Sequence, residues 1–315
     1  MRVIIFGSNG ILSSLPFSAL INSKHTVVAY VSPTSVTQDK RFNVLVIDGK
    51  NKTENLAYEN NIKILRFNNF DNSLGSELKA LNPDVIVVSC FAYKIPESIL
   101  SYAKLGCINL HPSLLPKFRG ADPIFWQVQQ GLSEFGASIR IVTDDWDAGP
   151  IICQENLIIH ENWNRESLIQ NHAILLTKLM INTLNDFENS LAQARPQSEN
   201  KATYFSFPRP KDYELDLSWS ASRINQFVKF TEGRVLFYPL KIQGQTYRIS
   251  RILSYDASRT STVIVKNNIV NENGLSTADV NSVEVIEKHM IGFFFQEGDY
   301  GQLPAGFQSG GGGKK

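Results

Sequence analysis

Two side chains of unlike chemistry stand two residues apart in INLHPSLLPKFRGADP, the stretch from Ile108 to Pro123: the amide of Asn109 and the imidazole of His111. Side chains of an extended chain alternate between faces, so these two point the same way. Together they could donate hydrogen bonds to one oxygen on which negative charge develops. A carboxylate close by would fix the imidazole tautomer and favour its charged form. Asp144, Asp145 and Asp147, in TDDWDAGP from Thr143 to Pro150, are the candidates, and the residues alone do not choose among them. The same residues also suit a hydrogen-bonded histidine at a strand end beside turn aspartates. A metal held by His111 and two aspartates needs further ligands in register; none is evident, so no metal is expected.

Two weaker features accompany this pair. Ser8, Asn9 and Gly10 lie in GSNG, which could offer backbone N–H groups to an anion at a helix start. The stretch lacks a full GxGxxG and equally suits a plain tight turn. Arg119 with Gly120 could hold a phosphate or carboxylate, or simply cap a surface loop.

The elements that must position these residues read as α/β. Val3 to Phe6, Val27 to Val31, Ile62 to Leu65 and Val85 to Val88 are short apolar runs, as in strands buried on both faces. Helical stretches separate them: one carries Leu12, Leu15, Leu20 and Ile21, and a shorter one ends at Leu78 to Leu81. Residues 32 to 61 are polar and irregular, with a small strand expected at Val44 to Ile47. Further on, Pro123 to Gln130 reads as a helix. Ala137 to Val142 and Ile151 to Cys153 read as strands. From Asn164 a long helix places Leu168, Leu175, Leu176, Leu179, Met180, Leu184 and Phe187 on one face. Strands alternating with helices predict a Rossmann-like, mostly parallel sheet. Ligands bind such sheets beyond the carboxyl ends of strands. Four loops are expected there: GSNG, FAYKIP (Phe91 to Pro96), NLHPSLLP and DDWDAGP.

A chain of 315 residues is long enough for two domains. Residues 1–191 are expected to form the first. Residues 192–212, with Pro196, Pro208 and Pro210, read as a linker. A smaller β-rich domain is expected over 213–305, opening with a helix at Ser220 to Phe230 and continuing through Tyr247 to Ile252, Thr262 to Val265 and Ile291 to Phe295. Residues 306–315, ending QSGGGGKK, read as a disordered tail.

A net charge of +1 leaves no global basic field to recruit nucleic acid or an anionic membrane. Cys90, Cys107 and Cys153 are isolated and odd in number, which predicts neither disulfides nor zinc and fits a reducing compartment. No apolar stretch approaches membrane-spanning length, and polar Ser8 and Asn9 break the first apolar run. A cytoplasmic protein with no membrane partner is expected.

NLHPSLLPKFRG followed by VTDDWDAGPI resembles the 10-formyltetrahydrofolate-dependent formyltransferase family, most strongly from about Val85 to Leu184. The resemblance implies the formyltransferase fold and transfer of a formyl group from 10-formyltetrahydrofolate to an amine, with no metal. It makes Asn109, His111 and Asp147 the catalytic trio, because Asp147-Ala148-Gly149 matches the family's Asp-x-Gly. A protonated His111 and Asn109 would then hold the oxyanion, while Asp147 orients the ring and raises its pKa. The resemblance also implies a folate pocket from the loop of Phe91, Ala92, Tyr93, Lys94 and Ile95 and the loop of Thr143, Asp144 and Asp145. Ser8, Asn9, Gly10, Ser113, Arg119 and Gly120 are the expected substrate-binding positions. The departures are Ala148, where many members carry Gly or Thr, and Tyr93-Lys94 in the folate loop.

The acceptor amine stays open at this level. The two-domain layout and Ala202 to Lys229 resemble the methionyl-tRNA formyltransferase branch, which implies initiator methionyl-tRNA as partner. Phosphate contacts need clustered Lys and Arg. Residues 32–61 hold Lys40, Arg41, Lys50 and Lys52 against Asp39, Asp48, Glu54 and Glu59, and the second part of the chain is nearly balanced. HPSLLP with RGADPIFW also resembles members acting on small amines such as nucleotide-linked amino sugars, in which a β-rich extension can serve a homodimer. A formyltetrahydrofolate hydrolase, and a folate-binding scaffold without catalysis, complete the alternatives.

Overall fold

The computed structural model describes residues 1–33, 52–67, 70–242, 245–249, 251–256, 262–265, 283–286 and 290–294. Described residues up to Pro208 fall in one compact unit and those from Arg209 in a second.

The first unit opens with β1 (Arg2–Gly7), α1 (Ile11–Ile21), β2 (Thr26–Pro33), α2 (Lys52–Glu59), β3 (Lys63–Phe67), α3 (Asn72–Ala80), β4 (Val85–Ser89), α4 (Glu97–Leu100) and β5 (Cys107–His111). It continues with β6 (Arg119–Gly120), α5 (Pro123–Gln129), β7 (Glu134–Ile141), β8 (Ile151–Ile158), α6 (Arg165–Asn185), α7 (Phe187–Ala192) and β9 (Tyr204–Phe205). Seven strands form one sheet in the order β3-β2-β1-β4-β5-β7-β8. The first five run parallel. β7 and β8 are antiparallel additions beyond β5.

The apolar runs become the central strands because both of their faces are covered. Val3, Ile5, Val85, Val87, Ile108 and Leu110 meet Phe17 and Leu20 of α1 and Leu176, Leu179 and Met180 of α6. Ile4, Phe6, Ile86 and Val88 meet Leu74 and Leu78 of α3 and Ile99 and Leu100 of α4. Full burial of each such side chain stabilises by roughly 1.5–3 kcal/mol. α6 starts where expected, with Asn164 capping the Ser167 N–H at 2.9 Å.

In α1 Leu20 is buried as expected, Leu12 and Ile21 pack against the core, and Ser13, Pro16 and Phe17 complete the buried face. One local reading differs. α2 falls inside the segment read as irregular, because its helix buries little beyond Thr53 and Ala57. The small strand expected at 44–47 and the tail at 306–315 lie outside the described residues.

Much of the expected linker, residues 192–208, belongs to the first unit. Arg195 exchanges two backbone hydrogen bonds of 2.8 Å with Ile151, and β9 pairs in parallel with β6. Phe205 stacks on Phe118 and Trp126, with ring centroids 5.5 and 4.7 Å away. The Trp126 indole N–H donates to the Ser206 carbonyl at 2.9 Å. These prolines punctuate a packed strap, held by backbone pairing that no local composition reveals.

The second unit holds α8 (Ala221–Thr231), capped by the Ser220 hydroxyl, and the hairpin of β10 (Tyr238–Ile242) and β11 (Gln245–Ile249). A four-stranded antiparallel sheet follows, ordered β12 (Arg251–Asp256), β15 (Met290–Phe294), β14 (Val283–Ile286), β13 (Thr262–Val265).

Candidate active site

β5 places Asn109 and His111 on one face, as their spacing requires. β7 runs against it with Asn109 opposite Arg140 and His111 opposite Ser138. This antiparallel pairing changes the expected geometry of the fourth loop. The chain leaves β7 level with Cys107, at the amino end of β5, where Val142 N–H donates to the Cys107 carbonyl. The loop must therefore fold back over the sheet face to bring Asp147 to His111. Two backbone features permit the return. Asp147 adopts φ 53, a left-handed conformation that Asp tolerates. Gly149 lies against the Ile141 carbonyl oxygen, where any Cβ would collide.

Both oxygens of the Asp147 carboxylate are engaged. Arg140 Nη2 donates to Oδ1 at 2.6 Å, and the Gly120 N–H donates to Oδ2 at 2.7 Å. His111 Nδ1 stands 3.8 Å from Oδ2. His111 Nε2 lies 2.8 Å from the Phe118 carbonyl oxygen and must donate to it, so the neutral ring keeps its lone pair on Nδ1, facing Asp147.

Burial, with His111 4% and Asp147 5% exposed, sets the charges. Burial pulls the His111 pKa below its ordinary value; Asp147 and the Phe118 carbonyl work against this, while Arg140 and Arg119 add to it. Asp147 thus acts on His111 in the expected direction, but desolvation outweighs the single anion and the net shift is downward. Burial acts to raise the pKa of Asp147, but charged His111, Arg140 and the two donated hydrogen bonds hold the carboxyl below its ordinary range.

A cavity opens beside this group. Asn109, Arg140 and Asp147 form its polar end, with Val88, Ile95 and Val142 as apolar wall. Phe91, Tyr93 and Lys94 come from the loop after β4, and Thr143, Asp144, Asp145 and Trp146 from the returning loop. Lys94 and Asp144 pair at 2.8 Å across the two loops, both well exposed. Asn109 makes no side-chain hydrogen bond among the described residues. Of the expected folate-loop residues, Ala92 alone does not line the cavity, and neither does His111, which lies behind it. Among the described residues no cluster of three or more His, Cys, Asp or Glu could hold a metal ion, and no helix is long and apolar enough to cross a membrane.

The expected substrate positions divide. Gly120 serves Asp147 through its N–H. Arg119 is fully buried, and its guanidinium bonds to Gln197, Glu199 and Tyr204. It is thereby spent on the strap rather than free for an anion, which corrects the ligand-binding reading. Ser113 is buried, its hydroxyl donating to the Lys117 carbonyl at 2.8 Å. Ser8 donates to the Cys90 carbonyl at 2.7 Å, while Asn9 and Gly10 are exposed; none of the three lines the cavity.

Sequence reasoning missed Arg140, Trp146 and Gln197. Ser138 and Arg140 alternate with Ala137, Ile139 and Ile141, and a charged residue inside such a strand was the available signal. Gln197 Nε2 donates to the carbonyls of Asp147 and Gly149, both at 2.7 Å, and nothing in the local sequence marks it.

Comparison with known proteins agrees with this architecture. The N-formyltransferase from Helicobacter canadensis, solved in complex with folinic acid and dTDP-3-aminofucose, superposes with a TM-score of 0.60 at 16% identity, covering 93% of this chain and 99% of that one. WlaRD, a sugar 3N-formyl transferase solved in the presence of dTDP and 5-N-formyl-THF, gives 0.61 at 14% identity, covering 93% and 97%. The protein is therefore an α/β protein of the formyltransferase fold. The family model described as formyl transferase matches residues 1–184. Methionyl-tRNA formyltransferase of Ehrlichia ruminantium (strain Gardel) is 33% identical over 223 residues, 70% of this chain and 71% of that one. The same enzyme of Wolbachia sp. subsp. Drosophila simulans (strain wRi) is 32% identical over 278 residues, 87% and 86% of the two chains. This chain belongs to the formyl transferase family and is a formyltransferase.

Proposed function

We propose that the chain transfers a formyl group from 10-formyltetrahydrofolate to the amine of initiator methionyl-tRNA. One observation carries the reaction: the unpartnered Asn109 amide lines a cavity together with the engaged carboxylate of Asp147, with His111 directly behind. The relatives' activity and their coverage of this chain support the acceptor. The residues present suit the folate. Val88, Ile95 and Val142 offer an apolar wall, and Lys94 offers a cation that only an exposed, weak ion pair occupies.

The amine lone pair attacks the formyl carbon. A C–N bond forms while the carbonyl π pair moves onto oxygen, where Asn109 donates a hydrogen bond. A proton passes from the attacking nitrogen toward the departing N10 by way of Asp147, which lines the cavity, with His111 at 3.8 Å from its carboxylate. The C–N10 bond then breaks and the carbonyl reforms, leaving formylated amine and tetrahydrofolate. On this reading His111→Ala and Asn109→Ala each lose on the order of a hundredfold or more in kcat.

A second reading has one observation in its favour. The nearly balanced charge of the chain suits a small amine, such as a nucleotide-linked amino sugar, better than a polyanion. Incubation with 10-formyltetrahydrofolate and either methionyl-tRNA or a panel of amino-sugar nucleotides tests both. Formylmethionyl-tRNA, formed at rates that fall steeply with salt, is the expected product. Product from amino sugars alone would transfer the assignment to the second reading, and formate alone would make the protein a hydrolase.

A further inference from the structure

Arg140 stands opposite Asn109 across β5 and β7, so the two side chains share a face with Cβ atoms about 5 Å apart. Both line the cavity. A guanidinium carries five N–H groups. Arg140 uses two, one from Nη2 to Asp147 Oδ1 at 2.6 Å and one from Nη1 to the Ile141 carbonyl at 3.2 Å. Its buried Nε has no partner among the described residues. Buried donors are almost always satisfied in native proteins, and an exception beside a cavity points to an acceptor supplied by a ligand. The Asn109 amide, also unpartnered, lies at the same end.

His111 is turned away from this place. One ring nitrogen is committed to Phe118, the other faces Asp147, and the ring does not line the cavity. We propose that Arg140 is a further catalytic residue of formyl transfer, holding with Asn109 the formyl oxygen and the negative charge that grows on it. The inference rests on the reaction given under Proposed function and assigns to Arg140 the charge that a protonated His111 would otherwise bring. No proton leaves Arg140: it donates hydrogen bonds while the π pair moves onto oxygen, and a guanidinium stays charged throughout the working range. His111 is faced by Asp147 from the returning loop, Arg140 from β7, Arg119 from β6 and the Phe118 carbonyl. Burial and the two cations lower its pKa against the pull of the one anion.

The experiment compares the unaltered chain with Arg140→Gln and Arg140→Lys, using whichever amine the unaltered chain formylates. The Gln variant is expected to lose on the order of a hundredfold in kcat with the KM for 10-formyltetrahydrofolate within about threefold, and the Lys variant to lie between. The unaltered chain's kcat is expected not to fall as pH rises from about 6 to 9, because its cation does not titrate there. The profile needs no variant and decides the matter should Arg140→Gln fail to fold. A kcat that falls with a histidine-like midpoint assigns the charge to His111 and overturns the proposal, as does a folded Gln variant within about threefold of the parent. Folate binding, followed by fluorescence of Trp146 at the cavity, separates the two levels. An unaltered chain that neither binds nor transfers overturns the functional reading and this inference together. One that transfers beside an indifferent Gln variant overturns this inference alone.

Discussion

Asp147 serves three neighbours with two oxygens: Arg140, the Gly120 N–H and the ring of His111. Asp147→Asn keeps the shape but turns an NH2 toward Arg140 or the Gly120 N–H, both donors, and leaves a buried guanidinium without its counter-charge. Breaking such a pair costs on the order of 3–5 kcal/mol, more than a surface ion pair provides. The variant should unfold at clearly lower urea concentration at pH 7. The sign with pH follows from the depressed carboxyl. Its stabilisation is present above the unfolded value of 3.8 and is lost as pH falls through the lower folded value, so parent and variant should converge in strong acid. Equal urea midpoints at pH 7 would contradict the pairing. The shared face of Asn109 and His111 was legible because their spacing is local, whereas Asp147 was singled out among three aspartates only by the resemblance of Asp147-Ala148-Gly149. Arg140 was not legible, because its meaning depends on which residue faces it across an antiparallel pair. Arg119 misled for a related reason: an arginine beside glycine in a polar loop looks like an anion site until the distant carboxylate of Glu199 is in place.

At the scale of elements, the strap from Arg195 to Ser206 holds both His111 and Asp147 of the candidate site. The Phe118 carbonyl that fixes His111 and the Gly120 N–H that fixes Asp147 lie one residue to either side of Arg119. Thr203 binds this turn through its hydroxyl to Phe118 N–H and its carbonyl to Arg119 N–H, both at 2.8 Å. Gln197 binds the other side, through the carbonyls of Asp147 and Gly149. A chain ending at residue 191, where the apolar periodicity stops, lacks all of these contacts. One ending at 208 keeps them. The shorter fragment should show fast amide exchange over 118–120 and 143–149, the longer one slow exchange there, by hydrogen-exchange mass spectrometry. Equal protection would show that the strap is dispensable. Gly149→Ala offers a finer probe. Its Cβ meets the Ile141 carbonyl, so the loop must shift and kcat should fall at least tenfold on the scale set by small misplacements of catalytic groups. The five parallel strands were legible because continuous apolar runs have few other homes. The reversal at β7 and the strap were not, since they depend on backbone pairing between segments far apart in the chain.

Over the whole molecule, a net charge of +1 makes general charge repulsion a weak source of pH dependence near neutrality, and leaves that role to individual buried groups. His172 is one, far from the cavity chemistry. It lies fully buried in α6, donating from Nδ1 to the Leu168 carbonyl at 2.8 Å, with Phe135 edge-on at 5.8 Å and Nε2 without a partner among the described residues. Burial brings its pKa down from 6.5 to about 4, against which the Leu168 hydrogen bond works only weakly. Folding therefore requires a neutral ring. Below pH 6.5 the unfolded chain takes up a proton that the folded chain refuses until about pH 4, and stability declines over that window. One such group contributes a slope of about 1.4 kcal/mol per pH unit, and His111, also lowered by burial, adds in the same direction. His172→Leu keeps an apolar group of similar size and removes the proton. The variant should match its parent within about 1.5 kcal/mol at pH 7, since it gives up one backbone hydrogen bond, and should surpass it at pH 5. Urea midpoints of the same transition at the two pH values measure the difference. Parallel loss of stability in parent and variant would mean that His172 is not the group that titrates, and would leave the acid sensitivity to other buried groups such as His111.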